Sequence, residues 1–506
     1  MNDELFANPS IAQRIYDSLD EQGFLPRDFS IRNLVYPPKI AGIEFADGFF
    51  EGNLTGPEKG EEPAPEVIAA TETLLQGHTK EAVQQLEDFF TSDMENLMND
   101  YTLTLQQWVD AHREEIHPED LIWYAGHLLQ EADNPEIVKY ALTLLEFADL
   151  HDDEELAPLI RLLAQCNEFT LYCLRNFLVW ETAQEEIFQT ARLVYGWGRV
   201  FALEELEPRT AQVRQWMLEE GWENDVNPEY TAKLIADGID LVGVLEQPSL
   251  RPRAFRGAIG LVEALLEDEP VPGISELRQP VQLLRELLRH AEEQKKDFHI
   301  YEVILKILRY ATTKLEGKEQ EEIKQACGKL LNTFDCAQVV KGALKEGKGF
   351  ELARALELPY SEEATALVLE NPVENGHLLA YALTGEAHHD GHVMELYEEL
   401  IPGMEKVFDE NRDHELSVKE LFEGIYRDLN AILDQLIGFP GTGEKLFLLA
   451  LDSPAFSNRR NALKILQHWK KLGYMLSPAL KVAVEQLLLK EKRKEIKKEA
   501  KKLLGI

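Results

Sequence analysis

Residues 134–148 read Asn-Pro-Glu-Ile-Val-Lys-Tyr-Ala-Leu-Thr-Leu-Leu-Glu-Phe-Ala. The apolar positions recur at spacings of three and four residues, as one face of an α-helix requires: Val138, Leu142, Leu145 and Ala148. Asn134 can cap the first turn, and Pro135 is favoured at the first helical position because its missing N–H is not needed there. The stretch therefore predicts an amphipathic helix that begins at about residue 135.

The same pattern extends along most of the chain. It recurs in residues 304–311 and 462–469, and short breaks rich in Pro, Gly and Asp separate the segments. From about residue 64 onward the periodicity predicts about twenty helices joined by short turns. Because short turns make successive helices antiparallel, stacked helix pairs can build an α-solenoid. We therefore expect an all-α protein.

Two of these segments, residues 134–142 and 457–466, resemble helices of HEAT or armadillo repeats. The resemblance covers residues 120–350 and 440–505, although no strict repeat period holds. It implies a curved helical surface of the kind that scaffolds, adaptors and transport factors present to other proteins. A multi-domain all-helical protein of another kind is the alternative.

The first 63 residues differ from the rest. Residues 11–19 predict a short helix, and residues 40–50 alternate between Gly and Pro boundaries, which predicts a strand or hairpin. Residues 56–63 have linker composition. We expect an N-terminal segment with some β structure (1–63), a helical-repeat array (64–350), a further helical region (351–455) and basic helices that cap the array (456–506).

The 506 residues carry a formal net charge of −39, unevenly distributed. Residues 456–506 contain fourteen Lys or Arg and four Asp or Glu, a balance of +10, so residues 1–455 carry −49. This acidic body should repel nucleic acid and anionic membranes, and it suits basic protein partners or cations. Solubility alone is the other explanation of the charge.

The four cysteines, Cys166, Cys173, Cys327 and Cys336, form no CxxC pair and lie among apolar helical residues. We expect buried thiols, as in a reducing cytoplasm. The acidic N-terminus lacks the features of a secretory signal. The longest apolar runs fall far below the ~18 residues that span a bilayer, so we expect no transmembrane segment.

Residues 409–420 have the spacing of an EF-hand calcium loop, which places hard oxygen ligands at fixed positions. Glu415 would coordinate through its backbone carbonyl, and Ser417 directly or through water. The candidate calcium ligands are Asp409, Asn411, Asp413, Glu415, Ser417 and Glu420. His414 stands where the loop normally has Gly for a sharp turn, which weakens the site. A charged turn between helices is the alternative.

Other local patterns admit a site as well as a structural explanation. His388, His389 and His392 could bind zinc or form a polar loop. Residues 438–446 superficially suggest a phosphate loop, and two ExxH matches at 114–117 and 374–377 suggest a di-iron bundle, but all three fit turns or helix ends. The basic helix 490–504 could contact nucleic acid or anionic lipid, or cap the array.

A second resemblance rests on Tyr36–Lys39 followed by Gly42–Phe45, and on residues 196–202, which read Gly-Trp-Gly-Arg-Val-Phe-Ala. These stretches are similar to Gram-positive bacterial proteins labelled limonene hydroxylase, and the label implies an oxygenase. The chain has no cysteine in a haem-binding context and no Gly-rich dinucleotide turn after a strand. We expect a non-enzymatic, cytoplasmic, bacterial interaction scaffold, modulated by Ca²⁺, with the oxygenase and a nucleic-acid or membrane contact as alternatives.

Overall fold

The computed structural model describes residues 6, 8–35, 45–52, 64–92, 96–269, 271–384, 387–412, 416 and 424–506, with only the backbone of 387–390. Within these ranges every regular element is helical, and no strand occurs. Contacts divide the chain into two compact units. Among the described residues, unit 1 comprises those from 6 to 294, and unit 2 comprises those from 295 to 506.

Unit 1 contains short 3-10 turns at Met98–Asp100 and Ile274–Glu276 and a π-helical turn at Met217–Gly221. Its α-helices, in chain order, are α1 Ile11–Asp17, α2 Ile31–Val35, α3 Phe49–Gly52, α4 Pro65–Leu75, α5 Thr79–Ser92, α6 Thr102–Ala111, α7 Pro118–Glu131, α8 Pro135–Leu145, α9 Leu156–Leu163, α10 Thr170–Leu178, α11 Ala183–Leu193, α12 Trp197–Glu205, α13 Ala211–Trp216, α14 Glu229–Gly238, α15 Leu241–Leu245, α16 Pro252–Leu265 and α17 Pro280–Glu293.

Unit 2 contains one described 3-10 turn, Gly376–Leu378. Its α-helices are α18 Phe298–Lys314, α19 Gly317–Leu331, α20 Phe334–Lys345, α21 Phe350–Ala355, α22 Ser361–Glu370, α23 Leu379–Ala382, α24 Ala387–Glu399, α25 Ile401–Glu410, α26 Gly424–Gln435, α27 Glu444–Asp452, α28 Phe456–Lys471, α29 Pro478–Lys490 and α30 Lys494–Leu504.

Local sequence signals set many of the helix starts. The Asn134 side chain accepts the N–H of Glu136 and Pro135 stands at the first position of α8, as the sequence predicts. Ser and Asp side chains cap other helices in the same way, as at Ser10 and Asp297. Each such cap satisfies an N–H group that the helix itself leaves unpaired.

Within each unit, helices pack mainly against their sequence neighbours and against the next helix but one. In unit 1, α4 packs on α5, α7 on α8, and α10 on both α11 and α12. In unit 2, α18 packs on α19, and α28 and α29 both pack on α30. This short-range order is the packing that stacked helix pairs produce.

Helix α8 lies at the centre of unit 1. All eleven of its residues are buried, which removes its polar positions from water as well as its apolar face. It contacts α6, α7 and α10. A helix surrounded in this way must find partners for any charge it carries, because an unpaired buried charge is strongly unfavourable.

The predicted strand at residues 40–50 is wrong in its described part. Residues 45–46 have no regular secondary structure, residues 47–48 form a turn, and Phe49–Gly52 form α3. Gly52 packs against the Trp197 ring, where a Cβ would approach to 2.1 Å. Three phenylalanines cluster here, although the alternation of a strand would divide them between opposite faces. The Phe45 ring centroid lies 5.3 Å from that of Phe49 and 5.1 Å from that of Phe50.

The remaining N-terminal predictions have mixed outcomes. The helix expected at 11–19 is present as α1, which packs on α7 and α9 in unit 1. Residues 40–44 and the linker 56–63 lie outside the described residues. The predicted boundaries at 63, 350 and 455 stay predictions.

Candidate functional site

The most concentrated charge in the interior of unit 1 surrounds Lys139 on α8. Its Nζ lies 2.6 Å from Oε1 of Glu51, 3.1 Å from Oε1 of Glu136 and 2.6 Å from Oε1 of Glu168. The Arg32 guanidinium donates to Glu168 at 2.7 Å. We call these five residues the lysine cluster. An ammonium group has three N–H donors, so three carboxylates satisfy Lys139 completely.

The lysine cluster joins four segments that are far apart in sequence. Arg32 belongs to α2, Glu51 to α3, Glu136 and Lys139 to α8, and Glu168 to the turn before α10. Glu168 also accepts the backbone N–H of Gly48 at 2.9 Å, and Glu136 accepts that of Met98 at 2.7 Å. The first bond connects the turn before α3 to the core of unit 1, and the second connects the 3-10 turn Met98–Asp100 to α8.

Burial and charge act in opposite directions on the pKa values of the lysine cluster. Burial lowers the pKa of Lys139, but Glu136, Glu168 and Glu51 together hold it well above its usual value. Burial raises the pKa of Glu168, but Lys139 and Arg32 hold it below its usual value. Burial dominates at Glu51 and raises its pKa to about 7. Lys139 and Glu168 are therefore ionised at neutral pH, whereas Glu51 titrates near neutral pH.

Asp47 completes the polar surroundings of the lysine cluster. Its carboxylate accepts the hydroxyl of Ser30 at 2.6 Å and the backbone N–H groups of Ile31 at 2.9 Å and Arg32 at 3.2 Å, which caps α2. The Cys166 thiol lies 3.5 Å from the same carboxylate. Burial raises the pKa of Cys166 well above its usual value, so the thiol stays protonated and is a poor nucleophile.

The side chains of Lys139, Glu51 and Glu168 have no exposed surface. A solute therefore cannot touch them in this conformation, and every N–H of Lys139 is already engaged. Within the described residues, no group of three or more His, Cys, Asp or Glu is arranged to hold a metal ion. The lysine cluster is best explained by a structural role: it fixes α2 and α3 on the core.

The predicted calcium ligands are only partly described. Asp409 lies in the last turn of α25 with its side chain largely exposed, and Asn411 follows the helix end. Nδ2 of Asn411 donates to the Val407 carbonyl at 3.1 Å. The other four ligands, Asp413, Glu415, Ser417 and Glu420, lie outside the described residues.

Arg412 holds Asp409 in this structure. Its Nε lies 3.0 Å from Oδ1 of Asp409, and its Nη2 lies 2.8 Å from Oδ2 of Asp452 at the end of α27. These hydrogen bonds raise the pKa of Arg412. A cation bound by Asp409 would have to compete with this guanidinium.

The other local patterns have ordinary structural positions where they are described. His117 precedes α7, and His377 lies in the 3-10 turn before α23. Lys445 of the Gly-rich segment 438–446 pairs with Glu398 at 2.6 Å. The side chains of His388 and His389 lie outside the described residues.

A groove of about 950 Å³ on unit 1 combines arginines, aromatics and acids. We call it the arginine–aromatic groove. Its charged and aromatic lining residues are Asp20, Phe24, Arg27, Arg192, Tyr195, Arg199, Trp216, Glu219, Glu220, Trp222, Glu223, Arg253 and Arg256. Two guanidinium groups lie over the Tyr195 ring, with the Arg27 carbon 4.4 Å and the Arg199 carbon 4.2 Å from the ring centroid.

Arg199 is fixed at the groove by backbone carbonyls. Its Nε donates to Ala191 at 3.1 Å and Val194 at 2.7 Å, and its Nη1 donates to Glu223 at 2.8 Å. Two of these carbonyls lie at the end of α11, where a helix favours positive charge. Burial lowers the pKa of Arg199 from its usual value, yet the group remains a cation at neutral pH.

Sequence reasoning missed both the lysine cluster and the arginine–aromatic groove. The sequence reasoning considered residues 196–202 only for a family resemblance, although Arg199 in this stretch lines the groove. Residues 20 and 256, which both line it, are too distant in sequence for spacing to connect them. The one local signal was a Lys three residues after a Glu in the strongly apolar stretch 134–148.

No protein-family model, curated protein or solved structure matches this chain. The resemblances to HEAT or armadillo repeats and to proteins labelled limonene hydroxylase stay predictions. All four cysteines are buried and unpaired, which confirms the expectation of buried thiols. In the part of the chain that the structure describes, no helix has the length and hydrophobicity needed to cross a bilayer.

Replacing Lys139 with Met should destabilise unit 1 by ~3–5 kcal/mol, because it leaves buried carboxylates without their counter-ion. Urea unfolding and hydrogen exchange of the α8 amides both measure this loss of stability. Lys233→Met is the control, since Lys233 pairs with Asp237 at the surface at 2.7 Å and its loss should cost below about 1 kcal/mol. Equal, small effects of the two substitutions would show that the lysine cluster contributes little.

Glu51→Gln should change the pH dependence of stability. The pKa of Glu51 is about 7 in the folded protein, above the ~4.3 of an unfolded Glu. The folded state therefore binds the proton more tightly, and this contribution to stability falls as the pH rises between those two values. Gln cannot titrate and removes this contribution. The difference in unfolding free energy, variant minus wild type, should therefore increase as the pH rises from ~5 to ~8.

Urea unfolding at several pH values checks this prediction, with Glu72→Gln as the control. Glu72 lies exposed on α4 of the same unit. Parallel pH curves for wild type and Glu51→Gln would show that Glu51 titrates normally.

Proposed function

We propose that this protein is a non-enzymatic interaction scaffold, an α-solenoid of stacked helix pairs that binds another protein through the arginine–aromatic groove. The observation that carries the proposal is the contact of both Arg27 and Arg199 with the Tyr195 ring in a large open groove. The packing of helices on near sequence neighbours in each unit supports the solenoid interpretation.

The composition of the groove supports protein binding. Arg, Tyr and Trp are the residues most enriched among those that dominate binding energy at protein interfaces. Here they are partly pre-organised, because carbonyl groups fix Arg199 and Asp225 pairs with Arg27. A rigid arginine–aromatic surface loses little conformational entropy when it binds.

Exposed members of the groove provide the contacts that a partner needs. Arg192 and Arg253 are exposed, and Phe24 keeps 42% of its surface accessible. Glu219 and Glu220 stand beside Arg253, with Glu220 at 2.5 Å from its Nη2. The surface therefore offers both signs of charge around an aromatic centre, which suits a partner segment with both basic and acidic side chains.

We also propose that Ca²⁺ modulates the scaffold through residues 409–420. Arg412 supports this idea, because it links Asp409 of the loop to Asp452 of α27. Ca²⁺ at Asp409 would compete with the guanidinium and weaken that link. Calcium binding would thereby change how the loop is attached to α27.

Arg192→Glu combined with Arg253→Glu should weaken partner binding at least tenfold, because the double substitution reverses charge at two exposed positions in the groove. The measurement uses peptides selected from a random display library on the full-length protein, then titrated by fluorescence polarisation. Arg209→Glu is the control, since Arg209 is exposed on unit 1 but does not line the groove. Unchanged affinity of the double variant would exclude the groove as the binding surface.

Calorimetric titration of EDTA-stripped protein should show saturable Ca²⁺ binding that Glu420→Gln abolishes, because an EF-hand loop needs the bidentate carboxylate at its last position. Glu410→Gln is the matched control: Glu410 is exposed at position 2 of the same loop, which supplies no ligand. Equal heats from the Glu420 variant and the control would reduce the loop to a charged turn.

A further inference from the structure

The last helices of unit 2 form a second open groove, distinct from the arginine–aromatic groove. It measures about 700 Å³ and lies among the end of α28, α29 and α30. Met475 and Leu489, which line it, keep 86% and 83% of their surface exposed. We call it the leucine–lysine groove. Large apolar side chains this exposed on one concave surface indicate a binding site.

Two lysines lie beside the apolar lining of the leucine–lysine groove. Lys470 and Lys481 line it, and Glu485 is the one carboxylate there among the described residues. Lys470 donates to the Leu503 carbonyl at 2.7 Å, which fixes its position at the end of α30. Lys481 forms no ion pair in the described part of the chain, so its charge is available to a partner.

The helices that form the groove belong to a basic segment of the chain. Residues 456–506 carry a balance of +10, in a chain whose net charge is −39. Helix α30 buries Ile496, Ala500 and Leu503, and its lysines occupy the remaining faces. The leucine–lysine groove therefore belongs to a basic segment of an acidic protein, and two lysines and one glutamate line it.

From this combination we infer that the leucine–lysine groove binds an acidic amphipathic helix of a partner protein. The apolar face of such a helix would cover Met475 and Leu489, and its flanking carboxylates would meet Lys470 and Lys481. Amphipathic helices bind hydrophobic grooves in this manner through anchors spaced by three and four residues. The inference rests on the proposed scaffold function, and it assigns that function a partner class and a second surface.

Charge and shape favour a helix over an anionic membrane. A membrane is an extended anionic surface, and the protein that would approach it carries a net charge of −39. A single peptide meets only charges within about 10 Å, the range over which salt leaves electrostatic attraction effective. A concave apolar surface also matches a rod-shaped ligand better than a flat one.

The test uses full-length protein and a panel of fluorescein-labelled helical peptides with Leu on one face and Glu on its flanks. Binding is measured by fluorescence anisotropy against scrambled peptides of the same composition. At least one amphipathic member should bind at least tenfold more tightly than its scrambled form, and Met475→Glu with Leu489→Glu should weaken that binding at least tenfold. Both residues are exposed, so the substitutions leave the core intact.

Phe334→Glu is the matched control, because Phe334 is 77% exposed on α20 of unit 2 but does not line the groove. The control should bind as wild type does. Absence of preference over the scrambled peptides, or wild-type affinity of the double variant, would overturn the inference. Arg192→Glu with Arg253→Glu should leave this binding unchanged, so failures at the two grooves are distinguishable.

Two other occupants would also overturn the inference. Sedimentation with phosphatidylserine vesicles that is lost in the double variant, without peptide binding, would assign the groove to a membrane. A dimer of wild-type protein that the double variant converts to a monomer, measured by light scattering, would assign it to a second copy of the chain.

Discussion

The structure of unit 1 depends on the neutralisation of Lys139 inside the protein. Because α8 is buried on every side, its ammonium group has no access to water and must be paired. Glu51, Glu136 and Glu168 supply that pairing, and two of them come from other segments. Apolar side chains of similar volume could give comparable stability. What the charges add is a requirement that α3 and the turn before α10 meet at one point.

That requirement extends from the core to the surface. Glu168 in the lysine cluster is adjacent to Asn167, whose Oδ1 accepts the backbone N–H groups of Gly196 at 3.2 Å and Gly198 at 2.9 Å. These bonds fix the start of α12, and α12 carries Arg199 into the arginine–aromatic groove. A single two-residue stretch thus connects the lysine cluster to the proposed binding surface. Loosening the core at Glu168 should therefore also loosen the groove.

The sequence predicts local features well and distant ones poorly. The capped start of α8 follows from Asn134 and Pro135, because capping involves only neighbouring residues. The strand prediction at residues 40–50 is wrong in its described part. An alternating pattern cannot predict the aromatic cluster and the contact of Gly52 with Trp197, which favour a helix there. Amphipathic spacing also predicts a polar face for α8, whereas burial on all sides makes Lys139 the central charge. The arginine–aromatic groove assembles residues 20 to 257, which no local pattern connects.

The scarcity of cations makes their positions informative. With 52 Lys and Arg against 91 Asp and Glu, a cluster of acids is expected almost anywhere on the surface, whereas a cluster of cations is not. The described cations that are buried pair with carboxylates or carbonyls, as Lys139 and Arg199 do. Each of the two grooves places exposed cations beside aromatic or apolar side chains. Because an acidic protein repels acidic partners at long range, the lysines of the leucine–lysine groove matter for an acidic partner segment at short range. The arginine–aromatic groove instead presents both signs of charge.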